Sequence, residues 1–203
     1  MRATLRAVGE TSITAGLILM LFCAYLLWGT GAYTQSQQLL LKRELERENA
    51  GKLDRIELGR AVALLRIPKL GRDYQYAVVE GVGAEQLKKG PGHYPDSAMP
   101  GQTGNFVLSG HRTTYAAPFR EIDELERDDE IVVEAREARY TYRVTSQDIV
   151  RPDEIEVLAP VPGKPDIRPI RAFITLSTCH PEYSAAERLI VYGVLKETEP
   201  RKE

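Results

Sequence analysis

The chain has 203 residues, with 27 basic and 29 acidic side chains, a formal net charge of −2, 43% hydrophobic residues and two cysteines. This balance excludes a disulfide-stapled miniprotein, a strongly basic nucleic-acid binder and an acidic disordered tail. The charge is unevenly spread: Thr11 to Leu41 carries none, whereas everything from Lys42 onward is densely charged, so one part of the chain belongs in a different solvent.

The most apolar part of that window, Ile13 to Tyr33, is long enough to cross a hydrocarbon layer of roughly 30 Å at about 1.5 Å per residue. Trp28 and Tyr33 fall at its far end, where aromatic rings favour the interface, and Arg2 and Arg6 precede it. The pattern predicts a signal anchor over residues 11–34, with residues 1–10 in the cytoplasm and the remainder outside the cell. A cleaved signal peptide is the rival reading. It needs a shorter apolar core and small residues where Tyr25 and Trp28 stand. Residues 35–59 mix basic and acidic side chains, with helix formers up to a break at Gly51. They read either as a stalk holding a domain off the membrane or as a solvated charge run without a specific role.

From residue 60 to 197 the pattern changes to short β-rich runs punctuated by Gly, Pro and Asp, followed by a charged tail over 198–203. Strands are predicted at Ala61 to Ile67, Tyr74 to Glu80, Asn105 to Gly110, Glu130 to Ala135, Arg139 to Val150, Ala172 to Thr178 and Arg188 to Leu195. The run RYTYRV alternates, giving one wet face, whereas FITL is apolar as a central strand should be. Short helices are expected at Gly83 to Lys89, Pro118 to Leu125 and Asp153 to Leu158, limited by Pro91, Pro152 and Pro160. A domain of this size buries a core unaided, in a mostly β sandwich or barrel.

Cys23 lies in the expected membrane span, which leaves Cys179 as the lone external thiol. Such a cysteine is inertly buried, paired between chains, or used. It closes the apolar strand AFITLST and opens a loop, where scaffolds present reactive groups. A nucleophilic thiol needs a proton partner, and the chain has three histidines. His180 is adjacent, so strand geometry points it to the opposite face. His93 sits in the Gly/Pro run GPGHYP as a candidate structural hydrogen-bonder. His111 ends the run NFVLSG, at a strand end able to face Cys179. Arg188 heads the last predicted strand, nine residues after Cys179, and is a candidate to stabilise an oxyanion.

TLSTC at Thr175 to Cys179, followed by HPEYSAAERLIV, resembles the sortase signature, and Gly110 to Arg112 resembles the sortase histidine motif. RIPKL, GVGAEQLKKGPGHYP and MPGQTGNFVLSGHRTTYAAPF fall in the same family order. The resemblance covers roughly Ala61 to Leu195. It implies an eight-stranded sortase-type β-barrel with short helices behind an N-terminal transmembrane helix. It also implies a cysteine transpeptidase that cleaves a C-terminal sorting signal through a thioester and passes the protein to an amine of a cell-wall precursor. Cys179 is then the nucleophile, His111 the general acid and base, Arg188 the donor to substrate and oxyanion, and Thr178 a residue shaping the oxyanion site. Class E is the nearest pattern, with class D second. Class E implies a signal of LAXTG rather than LPXTG type, for which Tyr94 is the selecting tyrosine and Tyr115 a weaker match. The charged C-terminus KETEPRKE carries no second apolar run, which fits a single-anchor housekeeping enzyme.

No metal or cofactor is expected, because one external cysteine and scattered histidines do not supply a zinc set and no phosphate-binding glycine motif occurs. The acidic run ELERDDE lacks an oxygen-ligand loop pattern and reads as a solvated turn rather than a calcium site. The alternatives left standing are a hydrolytic cysteine peptidase and a non-enzymatic anchored barrel that binds surface peptides. The expected partners are secreted proteins bearing a sorting signal, the amine acceptor and the membrane, with no nucleic acid.

Overall fold

The structure, a computed structural model, describes residues 2–47 and 57–201. Eight strands close into a barrel: β1 (Ala61–Arg66), β2 (Gln75–Glu80), β3 (Gly92–His93), β4 (Gly104–Ser109), β5 (Glu130–Glu134), β6 (Ala138–Val150), β7 (Ala172–His180) and β8 (Glu187–Pro200). Their order around the barrel is β1-β2-β3-β4-β7-β8-β6-β5, closed by antiparallel pairing of β1 with β5. Closure removes the exposed edges that an open sheet of this size would carry. The expected mostly β, eight-stranded architecture is therefore present.

Side-chain alternation builds the interior. Ile174 and Leu176 of β7, Phe106 and Leu108 of β4, Leu189 and Val191 of β8, and Tyr142 and Val144 of β6 meet in one cluster. The opposite face of β7 carries Thr175, Ser177 and Cys179 and is covered in part by the connection between β6 and β7. In that connection Val157 packs with Val150 and Ile190. Asn105 ties it down, donating through Nδ2 to Val157 O (3.3 Å) and Ala159 O (3.1 Å) while accepting from Thr175 Oγ1 (2.8 Å).

All seven predicted strands are present, and β7 is central, parallel to β4 and antiparallel to β8. The sequence pattern misses β3, because two residues inside a Gly/Pro run show no alternation. Tertiary ties hold it instead: His93 Nδ1 lies 2.7 Å from Glu80 Oε2, both side chains being buried. A Cβ at Gly92 would meet Gly81 O at 2.3 Å, so only glycine permits this backbone approach. The short helices shrink to α3 (Ala84–Leu87) and 3₁₀ turns at Ile122–Glu124 and Ile155–Leu158.

One continuous helix runs from α1 (Arg2–Ala24) through a π turn (Tyr25–Gly29) into α2 (Thr30–Arg47). Thr4–Ala24 is long and apolar enough to cross a membrane. Thr30 and Thr34, inside the expected 11–34 anchor, are instead buried against the barrel, as are Gln38 and Leu41 from the expected stalk. The predicted break at Gly51 lies outside the described residues. At the other end, β8 runs through Pro200, so the first residues of the expected tail pair with β6.

Phe106, 1% exposed and tilted against the His93 ring at 5.1 Å, links the core to β3. Phe106→Ala should cost about 3–5 kcal/mol, seen as a lowered urea midpoint with no change in slope. A loss below about 1 kcal/mol would contradict this packing.

Candidate active site

The site is assembled by strand register. Antiparallel pairing of β7 with β8 sets Cys179 directly opposite Arg188, with Thr178 opposite Leu189. Directly opposed residues share a face, so the half-buried thiol and the arginine side chain leave the sheet on the same side. Parallel pairing of β4 with β7 sets Ser109 beside Ser177. The ladder then continues one step further: Gly110 N–H donates to Ser177 O (3.1 Å) and Thr178 Oγ1 donates to Gly110 O (2.8 Å). The residue before His111 is thereby fixed to the residue before Cys179.

His111 opens a loop that closes on itself, as Phe119 N–H donates to His111 O at 3.0 Å. The Tyr115 ring lies 5.0 Å from the imidazole, tilted by 36°. Partial burial without a facing carboxylate disfavours the imidazolium, so the His111 pKa falls below its ordinary value. The shift favours the neutral imidazole. Arg188 rests on its own loop, Nη1 donating to Ala185 O (3.0 Å) and Glu187 O (2.9 Å). Its remaining guanidinium N–H groups and its position opposite Cys179 suit it to carbonyl oxygens near the thiol.

The other predicted residues separate from this trio. His180 Nδ1 lies 3.0 Å from Arg112 Nη1 and accepts from it. His93 is 1% exposed and bound between Glu80, Ser97 Oγ (2.9 Å) and Ala98 O (3.2 Å), a structural role. Thr178 is 2% exposed and spends its hydroxyl on Gly110 O, the carbonyl of the residue before His111. Tyr94 is half-buried beside β4, its N–H donating to Val107 O (3.0 Å), four residues before His111. Tyr115, the weaker tyrosine candidate, is the one against the imidazole.

Sequence reasoning missed Arg112 and Asp123. Arg112 is 6% exposed, and its guanidinium spans Asp123 Oδ2 (2.8 Å), His180 Nδ1 and the Cys179 carbonyl oxygen (3.4 Å). It joins the loop after β4 to the Cys179 carbonyl and to the side chain of the next residue, His180. The available signal was an arginine directly after His111 with an acidic turn eleven residues on. The acidic turn itself is more tied than a solvated run: Asp129 pairs with Lys69 (2.8 Å) and accepts Glu126 N–H (2.6 Å).

A family profile described as "Sortase domain" matches residues 65–196. Sortase SrtE1 of Streptomyces coelicolor is 38% identical over 97% of this chain and 58% of its own length. Sortase D of Bacillus subtilis is 36% identical over 68% of this chain and 65% of its own length. The chain thus spans somewhat under two thirds of both curated relatives. A crystal structure of Sortase E1 from Streptomyces coelicolor with a tripeptide in the active site superposes with a TM-score of 0.64 at 40% identity. It covers 70% of this chain and 92% of that one.

The lowered His111 pKa has a measurable sign. Between the native value and about 6.5, the unfolded chain binds more protons at this site than the folded one. Its contribution to stability is therefore complete above about 6.5 and is lost as pH falls through that window. An NMR titration, with His111→Gln identifying the signal, should place the His111 midpoint below that of an exposed histidine. A midpoint above it would contradict the burial argument.

Proposed function

The chain belongs to the sortase family, and on that premise we propose that it is a class E-like cysteine transpeptidase acting on secreted proteins with a C-terminal sorting signal. The observation that carries the reading is the register that sets Cys179 opposite Arg188, on the face of the sheet away from the core, and ties Thr178, the residue before Cys179, to Gly110, the residue before His111. In this reading residues 1–10 face the cytoplasm, the apolar helix anchors the chain, and the barrel works outside the cell.

The chemistry follows from the neutral imidazole. The Cys179 thiol gives its proton to His111 as sulfur bonds to the carbonyl carbon of the scissile threonine peptide. Arg188 leaves its local carbonyls and donates to the oxygen on which negative charge develops. The imidazolium proton then goes to the departing amine as the C–N bond breaks, leaving a thioester on Cys179. The acceptor amine attacks the thioester carbon and loses its proton to His111, and that proton returns to sulfur as the new amide forms. A thioester stores the acyl group in activated form, so transfer needs no nucleotide as long as water is outcompeted.

Thr178 shapes the site through its bond to Gly110, and Tyr94 contributes to signal selection of LAXTG over LPXTG type from its place beside β4. The acceptor is an amine of a cell-wall precursor, and the donors are surface proteins emerging on the same side of the membrane. The hydrolytic alternative shares the first half of this sequence and differs only in whether water or an amine resolves the thioester.

Incubating the full chain in detergent with a sorting-signal peptide and a glycine-type amine should give an amide product by mass spectrometry. Hydrolysis product alone, across a panel of amines, would sink the transferase reading. Arg188→Lys should lower kcat by about 10²-fold, because the flexible ammonium does not reproduce the planar donor fork. An Arg188→Lys variant with unchanged kcat would remove Arg188 from the oxyanion role.

A further inference from the structure

The helix α2 that leaves the apolar span is bound to the barrel by a stripe of polar side chains rather than by apolar packing alone. Thr30, Thr34, Gln38 and Leu41 recur on one face and are all buried. Thr34 Oγ1 donates to Lys88 O (2.8 Å). Gln38 uses its whole amide: Nε2 donates to Ala77 O (2.9 Å) and Lys89 O (2.8 Å), and Oε1 accepts Ala77 N–H (2.7 Å). Leu41 joins Ala61, Ala77 and Val79 in a separate apolar cluster. Directional bonds of this kind fix rotation and translation of the helix together, which a greasy contact would not.

The membrane-proximal end of this stripe reaches the loop that carries His111. Thr30 Oγ1 donates to Leu26 O (2.7 Å) and accepts the N–H of Tyr115 (3.4 Å). Tyr115 is the residue whose ring lies against the imidazole. Tyr115, Ala116 and Ala117 all adopt positive φ (53°, 62° and 44°), a conformation that non-glycine residues hold only when their surroundings impose it. The surroundings here are Tyr76 Oη, donating to Ala116 O (3.2 Å), Tyr74 Oη, donating to Pro118 O (2.6 Å), and Thr30. Between helix and loop lies a cavity of about 260 Å³ lined in part by Thr30, Gly31, Tyr74, Tyr76 and Tyr115, so the loop has room to shift if the helix contact is lost.

We propose that Thr30, at the membrane-side end of the docked helix, is a positioning residue for His111, acting through Tyr115, and that the anchoring helix is therefore part of the catalytic unit. Thr30 comes six residues after Ala24, the end of the apolar span, a rise of about 9 Å along a helix. The histidine loop is thus held close to the membrane surface. This inference rests on the reading of His111 as the proton-transfer group.

The test compares Thr30→Val, which keeps shape and removes the hydroxyl, with Thr30→Ser, which restores it, both in the full chain reconstituted in lipid nanodiscs. Peptide cleavage should show kcat lowered about threefold to tenfold in Thr30→Val with KM within about twofold, and recovery in Thr30→Ser. Hydrogen exchange should accelerate in residues 113–119 of Thr30→Val while β4 and β7 stay protected. An unchanged kcat, a loss that Thr30→Ser fails to restore, or unchanged exchange in 113–119 would each overturn the positioning role. The exchange arm needs no substrate, so it judges the helix contact separately. Absence of cleavage by the wild-type chain would instead overturn the His111 reading, and with it any catalytic meaning of the contact.

Discussion

The parallel pairing of β4 with β7 is the constraint on which the site depends. It runs from Gly104 beside Ala172 to Ser109 beside Ser177 and is extended by the bonds from Gly110 N–H to Ser177 O and from Thr178 Oγ1 to Gly110 O. Side-chain direction in a strand has a period of two, so a slip of one residue would turn Cys179 into the core and Leu176 outward. Burial of Ile174 and Leu176 makes that slip expensive, and the same burial holds the thiol on the outer face. The core therefore specifies the chemistry indirectly, by leaving one register available.

Around that register the site is completed by groups that neutralise or hold each other. Arg112 binds Asp123, His180 and the Cys179 carbonyl, so the nearby second histidine is already committed. His111 is half-buried beside the Tyr115 ring, and that burial holds its pKa below the ordinary histidine value. Arg188 is held by exposed, local bonds to its own loop, whose carbonyls water can satisfy when the guanidinium leaves. In the proposed reaction, charge appears only transiently, in a place prepared for it by a base in the loop after β4 and a donor at the start of β8.

Long elements with clear alternation were legible in the sequence, and so was the thiol. RYTYRV and FITL announce their strands because pattern and burial coincide there, and Cys179 stands out once Cys23 is assigned to the apolar helix. What was not legible depends on contacts far apart in the chain. β3 exists because Glu80 and His93 meet across strands, Arg112 matters because a turn brings Asp123 to it, and neither fact has a local signature. The charge-free window contains two environments. Thr30 and Thr34 are uncharged and sit beside an apolar run, so composition groups them with it, whereas Thr34 donates to Lys88 O and Thr30 accepts the Tyr115 N–H. Hydropathy does not distinguish a polar side chain facing lipid from one satisfied by protein.

The central claim, that Cys179 carries the acyl group, is tested most directly by trapping the intermediate. The full chain is mixed with a sorting-signal peptide, quenched in acid and mapped by mass spectrometry. The expected result is an added mass equal to the peptide's acyl fragment, located on Cys179 and released by hydroxylamine. Cleavage of the peptide by Cys179→Ala, or an adduct on any other residue, would contradict it.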